Sequence, residues 1–190
     1  MKLNLANILT LFRIAAIPLV VICFYSAIPY ARPIAAVLFG IAAVTDLVDG
    51  WVARRYGQTS RFGEFLDPVA DKLMVSILLV MLVQAESSWF EDIIAMFIIG
   101  REITVSALRE WMATIGERAN VKVSTAGKIK TTLQMFGIGF MVYHNEMFGI
   151  PIYTVGFVLL LLAAVMTLWS MLIYLKAAWP FIINDQEAPG

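Results

Sequence analysis

Four aspartates in one short polar stretch are the residues of this chain best suited to chemistry. They are Asp46, Asp49, Asp67 and Asp71. The first two are three residues apart and the last two are four apart, so each pair shares one face if its segment is helical. Long apolar segments flank the stretch. Charged groups at the edge of a hydrocarbon core are costly and by default mark a functional site.

Binding of divalent cations is the chemistry that this set favours. A helical hairpin that turns between the two pairs, where Gly57 and Gly63 lie, would bring both carboxylate faces together. Clustered carboxylates stay ionised in a poorly solvated place only when cations neutralise them. Oxygen ligands favour Mg²⁺ or Mn²⁺, and two such ions suit displacement at phosphorus. Buried aspartates also occur in proton relays and cation transporters, so spacing alone leaves both interpretations open.

The complete pattern around the aspartates resembles the signature of the CDP-alcohol phosphotransferase family. It reads Asp46-x-x-Asp49-Gly50-x-x-Ala53-Arg54, then eight residues, then Gly63-x-x-x-Asp67-x-x-x-Asp71. Every specified position is present. The resemblance implies that the four aspartates hold two divalent ions, Mg²⁺ or Mn²⁺, and that Asp71 is also the general base.

Composition places the chain in a membrane. Of its 190 residues, 61% are hydrophobic and 15% charged, whereas soluble domains are about half apolar and a quarter charged. We expect one transmembrane catalytic domain over residues 1–183 and a flexible polar tail over 184–190. Cys23 is the only cysteine, which excludes an intrachain disulfide and a cysteine-rich zinc site. A net charge near zero and the lack of a basic tail give no indication of a nucleic-acid partner.

Apolar runs of about 20 residues predict an all-α integral membrane protein, a bundle of six transmembrane helices. The expected spans lie near 8–28, 33–54, 67–84, 91–111, 125–143 and 152–177. Pro18 is expected to kink the first. Because Arg13 interrupts the first apolar run and no clear cleavage site follows, we interpret this segment as retained.

Lysine and arginine placement predicts the orientation. These residues concentrate on the side that carries the aspartates, whereas the opposite loops hold Arg32 and several acidic residues. Both termini and the active site should therefore face the cytoplasm. The family resemblance implies that the chain is a multi-pass protein of the bacterial cytoplasmic (inner) membrane. His144 falls on the opposite side and is given no catalytic role, because site residues must converge in space.

A second cluster, of basic residues, lies in the fourth and fifth spans. Its members are Arg101, Arg109, Lys128 and Lys130. Snorkelling to lipid headgroups would explain Lys128, but explains the deeper Arg101 poorly. An ion pair with Glu102, Glu110 or an aspartate is a second structural explanation. The functional interpretation is a pocket for the phosphate of a small substrate, where arginine and lysine are the expected ligands.

The family resemblance extends over essentially the whole chain. It includes the motif Asn7-x-x-Thr10-x-x-Arg13 and the stretches GREI, ALREW and GKIKTT. It implies CDP-diacylglycerol as donor, glycerol 3-phosphate as acceptor, contact with membrane lipids and a homodimer. The implied donor-binding residues are Gly50, Ala53, Arg54, Gly63, Asn7, Thr10 and Arg13. The implied acceptor-phosphate residues are Arg101, Arg109, Lys128 and Lys130.

Two alternatives stay open at this point. A different acceptor, such as inositol phosphate, serine or phosphatidylglycerol, would keep the same chemistry. A cation or proton transporter would need polar groups that continue to the other side of the membrane. The outer halves of the expected spans are nearly all apolar, which counts against such a path.

Overall fold

Six helices and one small β-hairpin make up the part of the chain that the computed structural model describes, residues 5–56, 61–86, 88–115 and 125–186. The elements are α1 (Leu5–Tyr25), α2 (Ala31–Tyr56), α3 (Arg61–Ala85), α4 (Trp89–Thr114), α5 (Thr125–Tyr143), β1 (Glu146–Met147), β2 (Ile150–Pro151) and α6 (Ile152–Gln186). Each expected span corresponds to one helix, so the all-α prediction is confirmed. Two helices, α1 and α6, are long and apolar enough by themselves to cross a membrane, over 8–25 and 152–181. In α2 the apolar part is shorter, 31–45, and the count of six spans stays a prediction.

The helix bounds differ most from expectation at two places. Helix α3 begins at Arg61, six residues before the expected span, and continues through Pro68. Its polar first turns are not part of the apolar run on which that expectation depended. Helix α6 extends to Gln186, beyond the point where a tail was expected to begin.

Contacts divide the chain into two compact units. Unit 1 contains residues 1–87 and 135–158, and unit 2 contains 88–134 and 159–190. Helices α5 and α6 each contribute residues to both units. The assignment of 1–183 to one catalytic domain stays a prediction.

In unit 1, α1 packs against both α2 and α3. Its core includes the buried side chains of Val20 on α1, Ala35 and Phe39 on α2, and Leu78 on α3. The parts of α5 and α6 in this unit cross very closely at Gly156. A Cβ atom there would lie 2.7 Å from the carbonyl oxygen of Gly137, so only glycine fits.

Polar contacts stabilise the end of unit 1 that lies opposite the aspartates. Arg32 at the start of α2 pairs with Glu86 after α3, with 2.7 Å between Nη2 and Oε1. His144 after α5 lies 3.4 Å from the same carboxylate oxygen, and its ring meets that of Tyr153 edge-on. His144 thus contacts Glu86 and Tyr153, and its lack of a catalytic role stays a prediction.

A tight turn closes the hairpin between α5 and α6. Glu146 pairs with Pro151 and Met147 with Ile150 in antiparallel register. The two turn residues, Phe148 and Gly149, have φ values of +54° and +77°. Positive φ at both central residues is the mark of a type I′ turn, whose twist suits a two-residue hairpin.

Unit 2 contains α4, the first half of α5 and most of α6. Its apolar core is formed by Val105, Met112, Tyr174 and Ala178, on α4 and α6. Helix α4 carries Glu91 and Asp92 in its first turn, where negative charge offsets the positive end of the helix dipole.

Candidate functional site

The aspartates occupy α2 and α3 of unit 1. Asp67 and Asp71 lie one turn apart on α3, as the spacing predicted. Asp46 and Asp49 lie on α2, but their side chains are outside the described residues, as are those of Gly50, Ala53 and Arg54. The expected convergence of all four carboxylates therefore stays a prediction. Among the described residues, no three acidic, histidine or cysteine side chains form a metal-binding group.

Asp67 is held by two residues of α1. The hydroxyl of Thr10 donates a hydrogen bond of 2.6 Å to its Oδ1, and Nη2 of Arg13 lies 3.5 Å from the same oxygen. Thr10 and Arg13 are buried, whereas the Asp67 side chain is 48% exposed. The buried side chains of Thr10 and Arg13 thus orient the Asp67 carboxylate, and its exposed part stays accessible to a ligand.

The helical spacing of α1 explains why both Thr10 and Arg13 contact Asp67. Thr10 and Arg13 are three residues apart, so both side chains leave the same face of the helix. The sequence identified both residues, but only as part of the donor site. Their links to Asp67, 57 residues from Thr10 and 54 from Arg13, are tertiary contacts that no local pattern could indicate.

This half of the site fits a divalent cation in its chemistry. Carboxylate oxygens are the ligands that Mg²⁺ and Mn²⁺ prefer. Asp67 and Asp71 share a helix face, and the accessible part of Asp67 leaves room for a bound ion.

An apolar groove of about 470 Å³ lies along α1 and α2. The last of its lining residues on α2 is the neighbour in sequence of the first aspartate. Its lining residues are Leu9, Val37, Gly40, Ile41, Val44 and Thr45. Thr45 immediately precedes Asp46. The lining offers shape and apolar surface but little polarity, which suits a hydrocarbon chain.

The basic residues form a buried polar network in unit 2. Nη1 of Arg101 donates to Oε1 of Glu102 at 2.6 Å, and Nζ of Lys130 donates to the same oxygen at 2.9 Å. Nη2 of Arg101 donates to the hydroxyl of Ser170 at 2.7 Å. Arg101 and Lys130 are 7% and 5% exposed. The ion pair with Glu102 considered from sequence is therefore present, and snorkelling does not describe these two residues.

Arg109 is oriented by Tyr174. Its Nη2 donates to the tyrosine hydroxyl at 2.6 Å, and its guanidinium carbon lies 4.8 Å from the ring centroid. Ser170 and Tyr174, one turn apart on α6, were missed from sequence. A polar pair at four-residue spacing in an apolar helix was the available signal. The side chain of Lys128 lies outside the described residues.

Donor atoms remain available on both arginines. Within the described part of the chain, Nε of Arg101 and Nε of Arg109 are buried and have no hydrogen-bond partner. A buried donor without a partner costs about 1–3 kcal/mol, more when it is charged. An anion with several oxygens, such as a phosphate, would satisfy such groups.

Comparison with known proteins agrees with this chemistry. The family model of the CDP-alcohol phosphatidyltransferases matches residues 3–169. A protein of Salmonella choleraesuis (strain SC-B67) is 46% identical over 178 residues, 94% of this chain and 96% of its own. A protein of Shigella flexneri serotype 5b (strain 8401) is 47% identical, and one of Escherichia coli (strain K12) 46% identical, over the same shares. All three are named CDP-diacylglycerol–glycerol-3-phosphate 3-phosphatidyltransferase.

Proposed function

Because this chain belongs to the CDP-alcohol phosphatidyltransferase family, we propose that it transfers the phosphatidyl group of CDP-diacylglycerol to glycerol 3-phosphate. The products are phosphatidylglycerophosphate and CMP. The observation that carries the proposal is the 46–47% identity, over 94% of the chain, to transferases named for this donor and acceptor. Apolar helices and family membership both indicate a membrane protein.

The aspartates serve as the metal site. Asp46, Asp49, Asp67 and Asp71 hold two divalent ions, Mg²⁺ or Mn²⁺, in keeping with a family that uses divalent metals. Bound there, the ions supply positive charge that stabilises the donor's diphosphate, the attacking oxygen and the departing CMP. Thr10 and Arg13 fix the orientation of Asp67 for this task.

Asp71 removes the proton that the reaction releases. Its carboxylate takes the proton of the primary hydroxyl of glycerol 3-phosphate. The freed oxygen forms a bond to the phosphorus that carries the lipid, and the bond from that phosphorus to CMP breaks with its electron pair on CMP. After these changes, one proton is on Asp71 and the lipid phosphorus is part of a phosphodiester in the product.

The donor is bound along unit 1. Gly50, Ala53 and Gly63 leave space for the nucleotide, while Arg54, Asn7, Thr10 and Arg13 complete its site. Gly63 is buried on α3. The apolar groove of α1 and α2 receives an acyl chain.

The acceptor's phosphate is bound by Arg101, Arg109, Lys128 and Lys130. Support comes from the burial of Arg101 and Lys130 and from the partnerless Nε atoms of the arginines. An uncharged alcohol would leave the net positive charge of this cluster uncompensated, so the site rejects it. The enzyme works as a homodimer in the bacterial inner membrane, with both termini and the active site on the cytoplasmic side.

One assay tests donor, metal and acceptor together. Purified protein in detergent with CDP-diacylglycerol and Mg²⁺ should release CMP when glycerol 3-phosphate is added, and EDTA should stop the release. Inositol phosphate and serine, added separately, should give none. Release with either of them would overturn the assigned acceptor, and no release with any acceptor from folded protein would overturn the transferase itself.

A further inference from the structure

We propose that Glu102 is an internal counter-anion of the acceptor-phosphate site: it competes with the substrate's phosphate for Arg101 and Lys130 and thereby keeps phosphate affinity low enough for turnover. The inference rests on the proposed function of those two cations. It assigns to a carboxylate a role in acceptor affinity that neither metal binding nor proton transfer requires.

The first argument is geometric. Adjacent residues on a helix point about 100° apart and do not normally meet, yet Arg101 and Glu102 are joined at 2.6 Å. Both side chains must bend toward a common interior point to make this contact. Lys130 reaches the same carboxylate oxygen from α5 at 2.9 Å. One oxygen atom thus occupies a donor on each of the two most buried cations of the cluster.

The second argument is electrostatic. The described side chains at this place are three cations, Arg101, Arg109 and Lys130, and one carboxylate, Glu102. Their net charge of plus two matches a phosphate monoester, which carries about −1.5 to −2 at neutral pH. Without Glu102 the same space would hold three cations and no anion. Such a site would bind phosphate more tightly and would be unstable when empty.

The third argument concerns release. The product also carries a phosphate monoester, so any gain in affinity for that group retains product as well as substrate. A carboxylate that returns to Arg101 and Lys130 offers these cations a partner at the moment when the phosphate leaves. The structure shows Glu102 in contact with both cations, at 2.6 Å from Arg101 and 2.9 Å from Lys130.

The decisive variant is Glu102→Gln, which keeps size and removes charge. We expect the KM for glycerol 3-phosphate and the inhibition constant of inorganic phosphate to fall by about three- to tenfold, since charge-assisted contacts are released for the ligand. We expect kcat to fall and the KM for CDP-diacylglycerol to stay unchanged. The thermal midpoint should drop without anion and recover when phosphate is added.

Two further variants of α4 complete the test. Glu110→Gln removes an equal charge from an exposed position and should change none of these constants. Glu102→Asp restores the charge on a shorter side chain and should lie between wild type and Glu102→Gln. A rise in the KM for glycerol 3-phosphate, no change, or equal effects of the two glutamine variants would each overturn the proposal.

A third comparison separates this inference from the function on which it rests. If Arg101→Ala and Lys130→Gln leave the KM for glycerol 3-phosphate unchanged, the acceptor site itself is wrongly assigned. If these two variants raise that KM but Glu102→Gln does not lower it, the acceptor site is correctly assigned and only the role of Glu102 is wrong. Should Glu102→Gln not fold, the double variant Glu102→Gln/Lys130→Gln removes one charge of each sign. Its KM must then be lower than that of Lys130→Gln alone.

Discussion

At the scale of single residues, the most informative contact is the hydrogen bond from Thr10 to Asp67. It joins the start of the chain to the aspartate signature and aims a half-exposed carboxylate with a buried hydroxyl. A ligand that is already oriented loses less conformational freedom when it binds an ion. The short motif of α1 thus supports a ligand of the proposed metal site and is also part of the proposed donor site.

The prediction that follows concerns Thr10→Val, which keeps the shape of the side chain and removes the hydroxyl. We expect the Mg²⁺ concentration for half-maximal activity to rise about tenfold, since support residues of metal ligands typically contribute 10–100-fold in metal affinity or activity. A titration of CMP release against Mg²⁺ measures it. Thr104→Val, at an exposed site of α4 where the hydroxyl bonds only within its own helix, should leave the titration unchanged. Equal shifts for both variants would contradict the assigned role of Thr10.

A second prediction separates the roles of two aspartates. Asp71→Asn should reduce turnover by at least about a hundredfold, the lower range for loss of a general base, and retain part of the donor binding. Asp49→Asn should weaken metal-dependent donor binding as well. Donor binding by calorimetry and CMP release by a coupled assay distinguish the two. Wild-type turnover in either variant would remove that residue from the site.

At the scale of the elements, sequence reasoning and structure agree where apolar runs are long. The runs around Val20 and Leu160 predicted helices because about 20 consecutive apolar residues have few other solutions. The hairpin at Phe148 was missed, since strands of two residues are too short to show alternation.

Some residues of the candidate site were predictable from the sequence and others were not. The signature aspartates stood out because charge in an apolar setting is conspicuous. Ser170 and Tyr174 could not be identified in this way, because serine and tyrosine are common in helices of this kind. Their role depends on Arg101 and Arg109, which the fold places beside them. The pairing of Glu102 with Arg101 was foreseeable as one of several ion pairs, and its sharing with Lys130 was not.

The crossing of α5 and α6 gives a prediction at this scale. Gly156→Ala places a methyl group within 2.8 Å of backbone atoms of Gly137 and Met141. Overpacking of this kind costs about 1–3 kcal/mol, so the thermal midpoint in detergent should fall. Gly100→Ala is the matched control, because no atom lies within 4 Å of the added group. It should be neutral or slightly stabilising, since alanine favours the helix. A midpoint for Gly156→Ala equal to wild type would show that the helices separate easily.

At the scale of the whole molecule, the surface is apolar in the way expected of lipid contact. Large hydrophobic side chains such as Ile22, Val80 and Trp169 are more than half exposed. In water such a surface would drive aggregation, whereas in a bilayer it is solvated by acyl chains. The proposed orientation then puts the hairpin and the aspartates on opposite sides.

That orientation can be tested with one thiol. Phe148 is 96% exposed at the tip of the hairpin, and Cys23 is the only native cysteine. In a Cys23→Ser background, Phe148→Cys should react with a membrane-impermeant maleimide in intact cells. A cysteine at Asn184, near the C-terminus, should react only after the membrane is opened. The reverse pattern would invert the proposed topology.

The length of α6 has a consequence for the membrane around it. Its apolar part, 152–181, measures about 45 Å at 1.5 Å per residue, against a hydrocarbon thickness of about 30 Å. Hydrophobic mismatch of this size is relieved by tilting or by local thickening of the bilayer. Lys176 and Trp179, both exposed near its end, are the types that anchor at the headgroup level. Because Ser170 and Tyr174 lie within the same helix, bilayer thickness acts on the element that orients the basic cluster. Reconstitution into lipids of graded chain length should therefore change acceptor kinetics more than donor binding.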